Sequence, residues 1–291
     1  MDSIQIEHTN DFTEYELLDS GEYAKLERFG KYTIIRPDPR ALWKPSLDAK
    51  AWDNADARYD FDAKSNGTWV RLPDDSSWKI TYKSITFLLR PTEFKHVGVF
   101  PEQAVNWNFL EKQIAGLPVK ILNLFAYTGG ATMVGLKNGA SVTHVDSAKS
   151  AIEWSKENIK LSGLENKPVR FIQDDAYAFI LREERRKQIY DGIILDPPRF
   201  GRGSKGQVFK IEENLPLLLE ACKTILSEKP SFLILNAYTA DMSAVALYNL
   251  VSSVFGNQAK QITASEIALQ ESGPLKRLLP SGITIRVIFN R

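Results

Sequence analysis

Apolar and polar positions follow two different rhythms along this chain. Up to about Pro91 they alternate with period two: Trp78, Ile80 and Tyr82 are separated by polar residues, and Ile85, Phe87 and Leu89 continue the pattern. That is the rhythm of half-buried strands. Trp69 and Val70 sit between the turn-forming runs Ser65-Asn66-Gly67 and Pro73-Asp74-Asp75, which confine the segment to a short strand. The pattern predicts a small β-rich domain over residues 1–95, loop-rich across 37–62.

From Glu102 onward short, largely apolar runs alternate with helical periodicity. The runs are 120–125, 142–145, 169–172, 192–195 and 232–235. Strands apolar on both faces belong to a parallel sheet covered by helices on each side. Ala148, Ala151, Ile152, Ser155 and Ile159 mark the inner stripe of one such helix,. Two last runs, 261–267 and 283–289, flank a loop with Gly273-Pro274 and Pro280-Ser281-Gly282. The connection is too short for a crossover helix, so these two are expected to pair antiparallel. The fold class is α/β, a Rossmann-like sheet over residues 96–291 with the smaller β-rich domain before it.

Composition narrows the setting. At 291 residues the chain has room for two domains, and 37 basic against 36 acidic residues leave a net charge of +1, which argues against a uniformly basic nucleic-acid binder but not against a local basic face. The single cysteine, Cys222, permits no intramolecular disulfide,. It lies in the apolar helical run 215–226 and reads as a core thiol,. His8, His96 and His144 have no metal-ligand spacing, so no metal is expected. Neither a signal peptide nor a membrane span is recognisable, and a cytoplasmic protein is expected.

The candidate chemistry lies at the ends of the apolar runs. Asn123-Leu-Phe125-Ala126-Tyr127-Thr-Gly129-Gly130 is a strand entering a polar turn ahead of a helix. Such a turn lets a ligand approach the backbone and face helix N-terminal N–H groups; it equally suits a plain tight βα turn. Neither a G-x-G-x-x-G nor a P-loop pattern is present, which counts against NAD and nucleoside triphosphates. Asp146 ends the next run, where an acid either accepts ribose hydroxyls or caps the following helix,. Asp174 and Asp175 end the third, where one can accept an adenine amine or cap a helix. Asp196-Pro197-Pro198 ends the fourth. Two prolines fix φ and remove N–H donors, so the turn is a rigid set of acceptors that can orient an amino or ring-nitrogen nucleophile.

Taken in order, Asn123 to Gly130, Asp146, Glu157-Asn158-Ile-Lys-Leu-Ser-Gly-Leu164, Asp175 and Asp196-Pro-Pro-Arg-Phe200 resemble the class I S-adenosylmethionine-dependent methyltransferases. More narrowly the chain is similar to the group containing bacterial large-subunit ribosomal RNA methyltransferases that modify cytosine C5 or guanine N7, and Phe100-Pro-Glu-Gln103 resembles that group's segment before the cofactor fold. The resemblance covers about residues 96–291 and implies a seven-stranded sheet ending in an antiparallel hairpin. It implies that Asn123, Phe125, Ala126, Tyr127 and Gly129 cradle the methionine part of S-adenosylmethionine. Asp146 and Ser147 would take the ribose, Asp174, Asp175 and Ala176 the adenine, and Asp196, Pro197 and Pro198 would stand beside the transferred methyl group.

Two departures bear on the substrate. Cytosine-C5 enzymes need a cysteine nucleophile, and none lies in or just after the Asp-Pro-Pro turn; a nitrogen acceptor is therefore expected. The N-terminal third also does not match the RNA-binding module of the cytosine enzymes. The run 199–210 carries Arg199, Phe200, Arg202, Lys205, Phe209 and Lys210 with no acid. It can hold phosphates and stack a base, or be a solvated loop. Tyr238, after the fifth run, can stack over an acceptor base or pack in the core. The run Arg182-Glu-Glu-Arg-Arg-Lys187 reads as a solvated helix face,. The expected function is methyl transfer to a base nitrogen of ribosomal or other structured RNA, with shallow salt dependence. The alternatives are a methyltransferase for a small-molecule or protein amine, a non-catalytic nucleotide-binding module, and an NAD-dependent dehydrogenase.

Overall fold

The structure is a computed structural model that describes residues 4–61, 67–72, 77–116, 118–202, 208–228, 231–238 and 242–290, without the side chain of Arg202. The turn residues Ser65, Asn66 and Pro73-Asp74-Asp75, and the candidate substrate contact Lys205, lie outside the described residues. The chain forms two compact units, Met1–Glu7 with Val105–Ile267 and Gly282–Arg291, and His8–Ala104 with Ala268–Ser281. Among the described residues no helix is long and apolar enough to cross a membrane.

The first strand, β1 (Gln5–Glu7), belongs to the larger unit. In the smaller unit β2 (Tyr15–Gly21), β3 (Ala24–Phe29), β4 (Tyr32–Pro37), β5 (Ala57–Phe61) and β6 (Gly67–Val70) form one sheet in that order, with the short helix α1 (Ala49–Asp53) between β4 and β5. β7 (Trp78–Tyr82) and β8 (Ile85–Leu89) form a separate hairpin. Its alternation is the one read from sequence: Trp78, Ile80, Tyr82, Ile85, Phe87 and Leu89 are all buried. At the end of β2 the buried Asp19 accepts from Ser46 N (2.9 Å), Ser46 Oγ (2.8 Å), Leu47 N (2.9 Å), Trp52 Nε1 (3.1 Å) and Arg277 Nη2 (2.9 Å). Those donors hold its carboxyl below the ordinary aspartate value against the upward push of burial,.

The larger unit is built on one sheet. Its helices are α2 (Ala104–Ile114), α3 (Gly130–Lys137), α4 (Lys149–Leu161), α5 (Ala176–Arg185), α6 (Ile211–Thr224) and α7 (Ala244–Phe255). Its strands are β9 (Lys120–Leu124), β10 (Ser141–Asp146), β11 (Val169–Gln173), β12 (Gly192–Leu195), β15 (Phe232–Ala237), β16 (Ala259–Gln270) and β17 (Leu278–Phe289), while β13 (Phe200–Arg202) and β14 (Val208–Lys210) form a two-stranded arm between β12 and α6. The sheet order is β1-β16-β17-β15-β12-β9-β10-β11. β9 to β12 and β15 run parallel, and β17 is antiparallel to β15. The chain steps from β9 through β10 to β11 on one side and through β12 to β15 on the other. The switch in winding direction therefore falls between β9 and β12, the place where open α/β sheets bind ligands.

The five apolar runs are strands, as expected. Leu122, Leu124, Val145, Leu195, Leu233 and Leu235 pack against Phe179 and Ile180 of α5, Leu215 and Leu218 of α6 and Leu247 and Val251 of α7. Each such side chain contributes roughly 1.5–3 kcal/mol by leaving water. Three expectations change. The sheet has an eighth strand, β1, whose three residues are too few and too polar to show a period. The last two strands are neighbours as expected, but each reaches further toward the connection, so Pro280, Ser281 and Gly282 lie within β17. Glu183 is buried instead of solvated: it accepts from Tyr190 Oη at 2.7 Å and Arg170 Nη1 at 3.0 Å.

Asp19→Ala is expected to destabilise the smaller unit by about 3–5 kcal/mol, because it strands several N–H and O–H donors of Ser46, Leu47 and Trp52 and takes from the Arg277 guanidinium one of its two carboxylates, leaving it Glu271,. Denaturant unfolding measures this; a loss under about 1 kcal/mol contradicts the role given to the cluster.

Candidate active site

Strand register brings the candidate residues to one level. Leu235, Leu195, Leu124, Val145 and Ile172 are successive partners across β15, β12, β9, β10 and β11. The next residue on each strand is Asn236, Asp196, Phe125, Asp146 and Gln173. These five lie along one row near its carboxyl edge: Phe125 and Asp196 follow the ends of β9 and β12, Asp146 and Gln173 are the last residues of β10 and β11, and Asn236 is the penultimate residue of β15.

The loop after β9 is bent by an unusual backbone. Phe125 (φ 57°), Tyr127 (φ 49°) and Gly129 (φ 89°) all take left-handed conformations, which cost non-glycine residues energy and must be held from outside. The holding groups are visible. Ala126 N donates to Val145 O at 3.0 Å and Tyr127 N to Asp146 Oδ2 at 2.8 Å. Asn158 Nδ2, buried on α4, donates to Thr128 O at 2.9 Å. A side chain at Gly129 would collide with Ser155, and a Cβ on Gly130 would stand 2.6 Å from the Trp107 ring. Gly129 is the N-cap of α3 and supplies no side-chain cap.

Beneath the loop lies a buried polar relay. Asn123 Nδ2 donates to Thr132 Oγ1 (3.0 Å), which lies 2.9 Å from His144 Nδ1. Burial pushes the His144 pKa down to about 3, with the Tyr127 backbone opposing,. Asn123 thus supports the loop from below. Asp146 accepts from Ala148 N at 2.9 Å as well as from Tyr127. Burial raises its pKa, opposed by the N–H groups of Ala148, Tyr127 and Ser147. It is not the N-cap of α4, which is Ala148, but it accepts from that residue's N–H at the start of the helix.

Elsewhere the arrangement is mixed. Asp175 is the N-cap of α5 and accepts from Ala178 N at 2.9 Å, while Asp174 pairs with Arg182. Ala176 is in the core, and Ser147 is half-buried with its carbonyl 3.5 Å from Gln173 Nε2. After β12, Asp196 is half-buried, Pro197 buried and Pro198 exposed. Phe200 is 54% exposed at the base of the β13–β14 arm, where Arg202 pairs with Val208. Phe209 of the arm packs on Phe125 with ring centres 5.4 Å apart. The run read as acid-free meets acids in space: Arg199 lies 3.7 Å from Glu212 and Lys210 2.7 Å from Glu213, both on α6. Tyr238 is 36% exposed just past β15. His144 and Thr132 are supporting residues whose role no local pattern signalled, while Asn158 stands in the Glu157–Leu164 run that carries the resemblance but is given no role there.

The sequence profile of S-adenosylmethionine-dependent methyltransferases matches residues 45–244. A solved S-adenosylmethionine-dependent methyltransferase of Agrobacterium tumefaciens is 39% identical, covers 99% of this chain and 94% of its own, and superposes with a TM-score of 0.93. A solved methyltransferase of Streptococcus mutans, 18% identical over 96% of this chain and 76% of its own, shares the fold with a TM-score of 0.74. Among curated proteins, the ribosomal RNA large subunit methyltransferase K/L of Vibrio cholerae serotype O1 is 27% identical over 185 residues, which are 62% of this chain and 25% of that protein. The chain thus spans about a quarter of that relative's length.

Because His144 is neutral when folded and titrates near 6.5 when unfolded, the unfolded chain binds the extra proton between pH 6.5 and 3. Its contribution to stability is complete above pH 6.5 and is lost as pH falls, at about 1.4 kcal/mol per pH unit. His144→Asn, which keeps an acceptor for Thr132, is expected to flatten the stability profile between pH 6.5 and 4.5 by about that slope, measured by denaturant unfolding at several pH values. An unchanged slope contradicts it.

Proposed function

The chain belongs to the S-adenosylmethionine-dependent methyltransferase family, and from that membership we propose that it methylates a nitrogen of a base in structured RNA, ribosomal RNA foremost, in the cytoplasm. The observation that carries the reading is the Asp196-Pro197-Pro198 turn, which leaves β12 directly beside the β9 loop. With no N–H on either proline, the turn offers an incoming base acceptors from Asp196 and its carbonyls. Such groups take up the hydrogens of a base amine or ring N–H and turn that nitrogen toward the methyl donor.

The residues fit the cofactor. α3 starts without a side-chain cap, so its first N–H groups and the positive end of its dipole suit the methionine carboxylate. Asp146 keeps lone pairs for the ribose hydroxyls beside the two N–H groups it already accepts,. Asp175, with Oδ1 on Ala178, offers its second oxygen to the adenine amine. S-Adenosylmethionine supplies a methyl group on a sulfonium whose carbon–sulfur bond breaks as the carbon–nitrogen bond forms. The chain's part is to align the acceptor, exclude water and take up the displaced proton at the Asp196 edge.

Cys222 is fully buried in the core around α6, and burial pushes its thiol pKa up; it cannot serve as the thiolate that ring-carbon methylation needs. For RNA, support comes from the exposed Phe200 on the arm and from the ribosomal RNA substrate named for the Vibrio cholerae relative. Because Arg199 and Lys210 face carboxylates, few cations are left for phosphates, in keeping with a shallow salt dependence.

The test is transfer of labelled methyl groups to ribosomal RNA from a strain lacking this gene. The expected result is label in one RNA nucleoside, carried on nitrogen. Asp196→Ala is expected to lower the rate at least 100-fold with S-adenosylmethionine affinity changed less than threefold. Label confined to a protein or metabolite fraction contradicts the RNA reading, and an unchanged Asp196→Ala rate removes the role of the turn.

A further inference from the structure

Two segments of the site are joined through one aromatic ring. The loop after β9 begins at Phe125, whose backbone is left-handed (φ 57°), a conformation that costs a residue with a Cβ energy and persists only where the surroundings hold it. Ala126, Tyr127 and Thr128 are tied by hydrogen bonds to Val145, Asp146 and Asn158. Phe125 adds a tie of another kind. Its ring is partly buried against the core of the larger unit and packs on Phe209, with centres 5.4 Å apart and planes inclined at 60°. That spacing and tilt are those of an attractive aromatic pair.

Phe209 is itself fixed from two sides. It stands in β14 opposite Gly201 of β13, and Ile211 N, two residues further on, donates to Arg199 O at 3.0 Å and closes the base of the arm. Ile211 is fully buried at the start of α6, so the ring stands two residues from a core anchor. On the other side the arm rests on the Asp196-Pro197-Pro198 turn. A Cβ built on Gly201 would lie 3.2 Å from Pro198 Cγ and 4.0 Å from Phe209 Cβ, so a side chain there would press on the proline ring. Phe125, Phe209, Gly201 and Pro198 are successive members of one stack within the larger unit. The loop assigned to the cofactor is thereby held from the side assigned to the acceptor.

Phe209 lies in the basic run that suits phosphates and bases, yet its ring is engaged by Phe125, whereas Phe200 is 54% exposed. We propose that Phe209 is a positioning residue for the cofactor, acting through Phe125 to keep the β9 loop in the shape that receives the methionine part of S-adenosylmethionine. The inference rests on the cofactor assignment of that loop given above and does not require the acceptor to be RNA. A loop ordered beforehand binds its ligand without meeting the cost of ordering at that moment. Loss of the support is therefore read as weaker cofactor binding by a protein that is still folded.

A double-mutant cycle on S-adenosylmethionine affinity tests it, by calorimetry on the full chain with a melting temperature for each variant. Phe209→Ala and Phe125→Ala are each expected to weaken binding at least tenfold. The double variant is expected to bind within threefold of the weaker single variant, because both changes remove the same contact. Phe209→Tyr keeps the ring and is expected to bind within threefold of wild type. Where Phe209→Ala does not fold, Phe209→Leu takes its place in the cycle, with a loss of at least threefold expected. A merely structural Phe209 lowers the melting temperature while the folded variant binds within threefold of wild type, and that result overturns the proposal. So does a double variant whose loss is the product of the two single losses, since Phe209 then acts by a route other than Phe125. None of these measurements needs an acceptor, so wild-type protein that binds S-adenosylmethionine yet labels no RNA overturns the RNA reading alone.

Discussion

The constraint on which the site depends is that five parallel strands come into register within two residues of their carboxyl ends. With Leu235, Leu195, Leu124, Val145 and Ile172 in register, apolar side chains of that row bury under α5, α6 and α7, and Asn236, Asp196, Phe125, Asp146 and Gln173 form the next row together. A slip of one residue on any strand would send its apolar set to the wrong face, so the hydrophobic core enforces the alignment of Asp146, Phe125, Asp196 and Asn236 at no separate cost. The chemistry is thereby carried on rigid elements, and only the turns between them need special backbone.

Those turns are what the opposite face supports. Against α2, α3 and α4 the sheet presents Asn123, His144, Asn236, Thr284 and Arg286 where an apolar layer would bind water less and pack as well. Buried polar side chains are costly where a group is unmatched, and here His144 Nε2 and Arg286 Nη2 are buried without a hydrogen-bond partner among the described residues; yet such networks have a property that apolar packing lacks, in that they fix which end of an amide points where. Asn123, Thr132 and His144 hold the strained β9 loop, and Asn158 ties down Thr128. Asn106 and Arg286 do the corresponding work under β15.

What was legible in the sequence follows from distance along the chain. Strand cores are local apolar runs, and Asp146 and the Asp196-Pro197-Pro198 turn announce themselves by position at their ends, so the fold class and the edge were readable. The supports were not, because their partners are remote: Asn106 meets Asn236 130 residues later and Arg286 180 residues later, and Glu7 meets Arg286 across 279. Glu183 carried the local look of a solvated helix face, and only Tyr190 and Arg170 explain its burial. The cations Arg199 and Lys210 looked unopposed because Glu212 and Glu213 follow just beyond the run. Strand β1 is three residues long, too short for any period to register.

The two polar networks lie on opposite sides of the switch between β9 and β12. One touches β9, β10, α3 and α4; the other touches β1, β15, β17 and α2, and no described residue is shared between them. Energetic effects at sites without shared partners are close to additive. Substitutions in one network are therefore expected to leave the other in place. A substitution in the Asn106–Asn236 chain leaves the Asn123–Thr132–His144 support of the β9 loop intact, so a sheet of this kind can alter the edge beside β15 without disturbing the turn after β9.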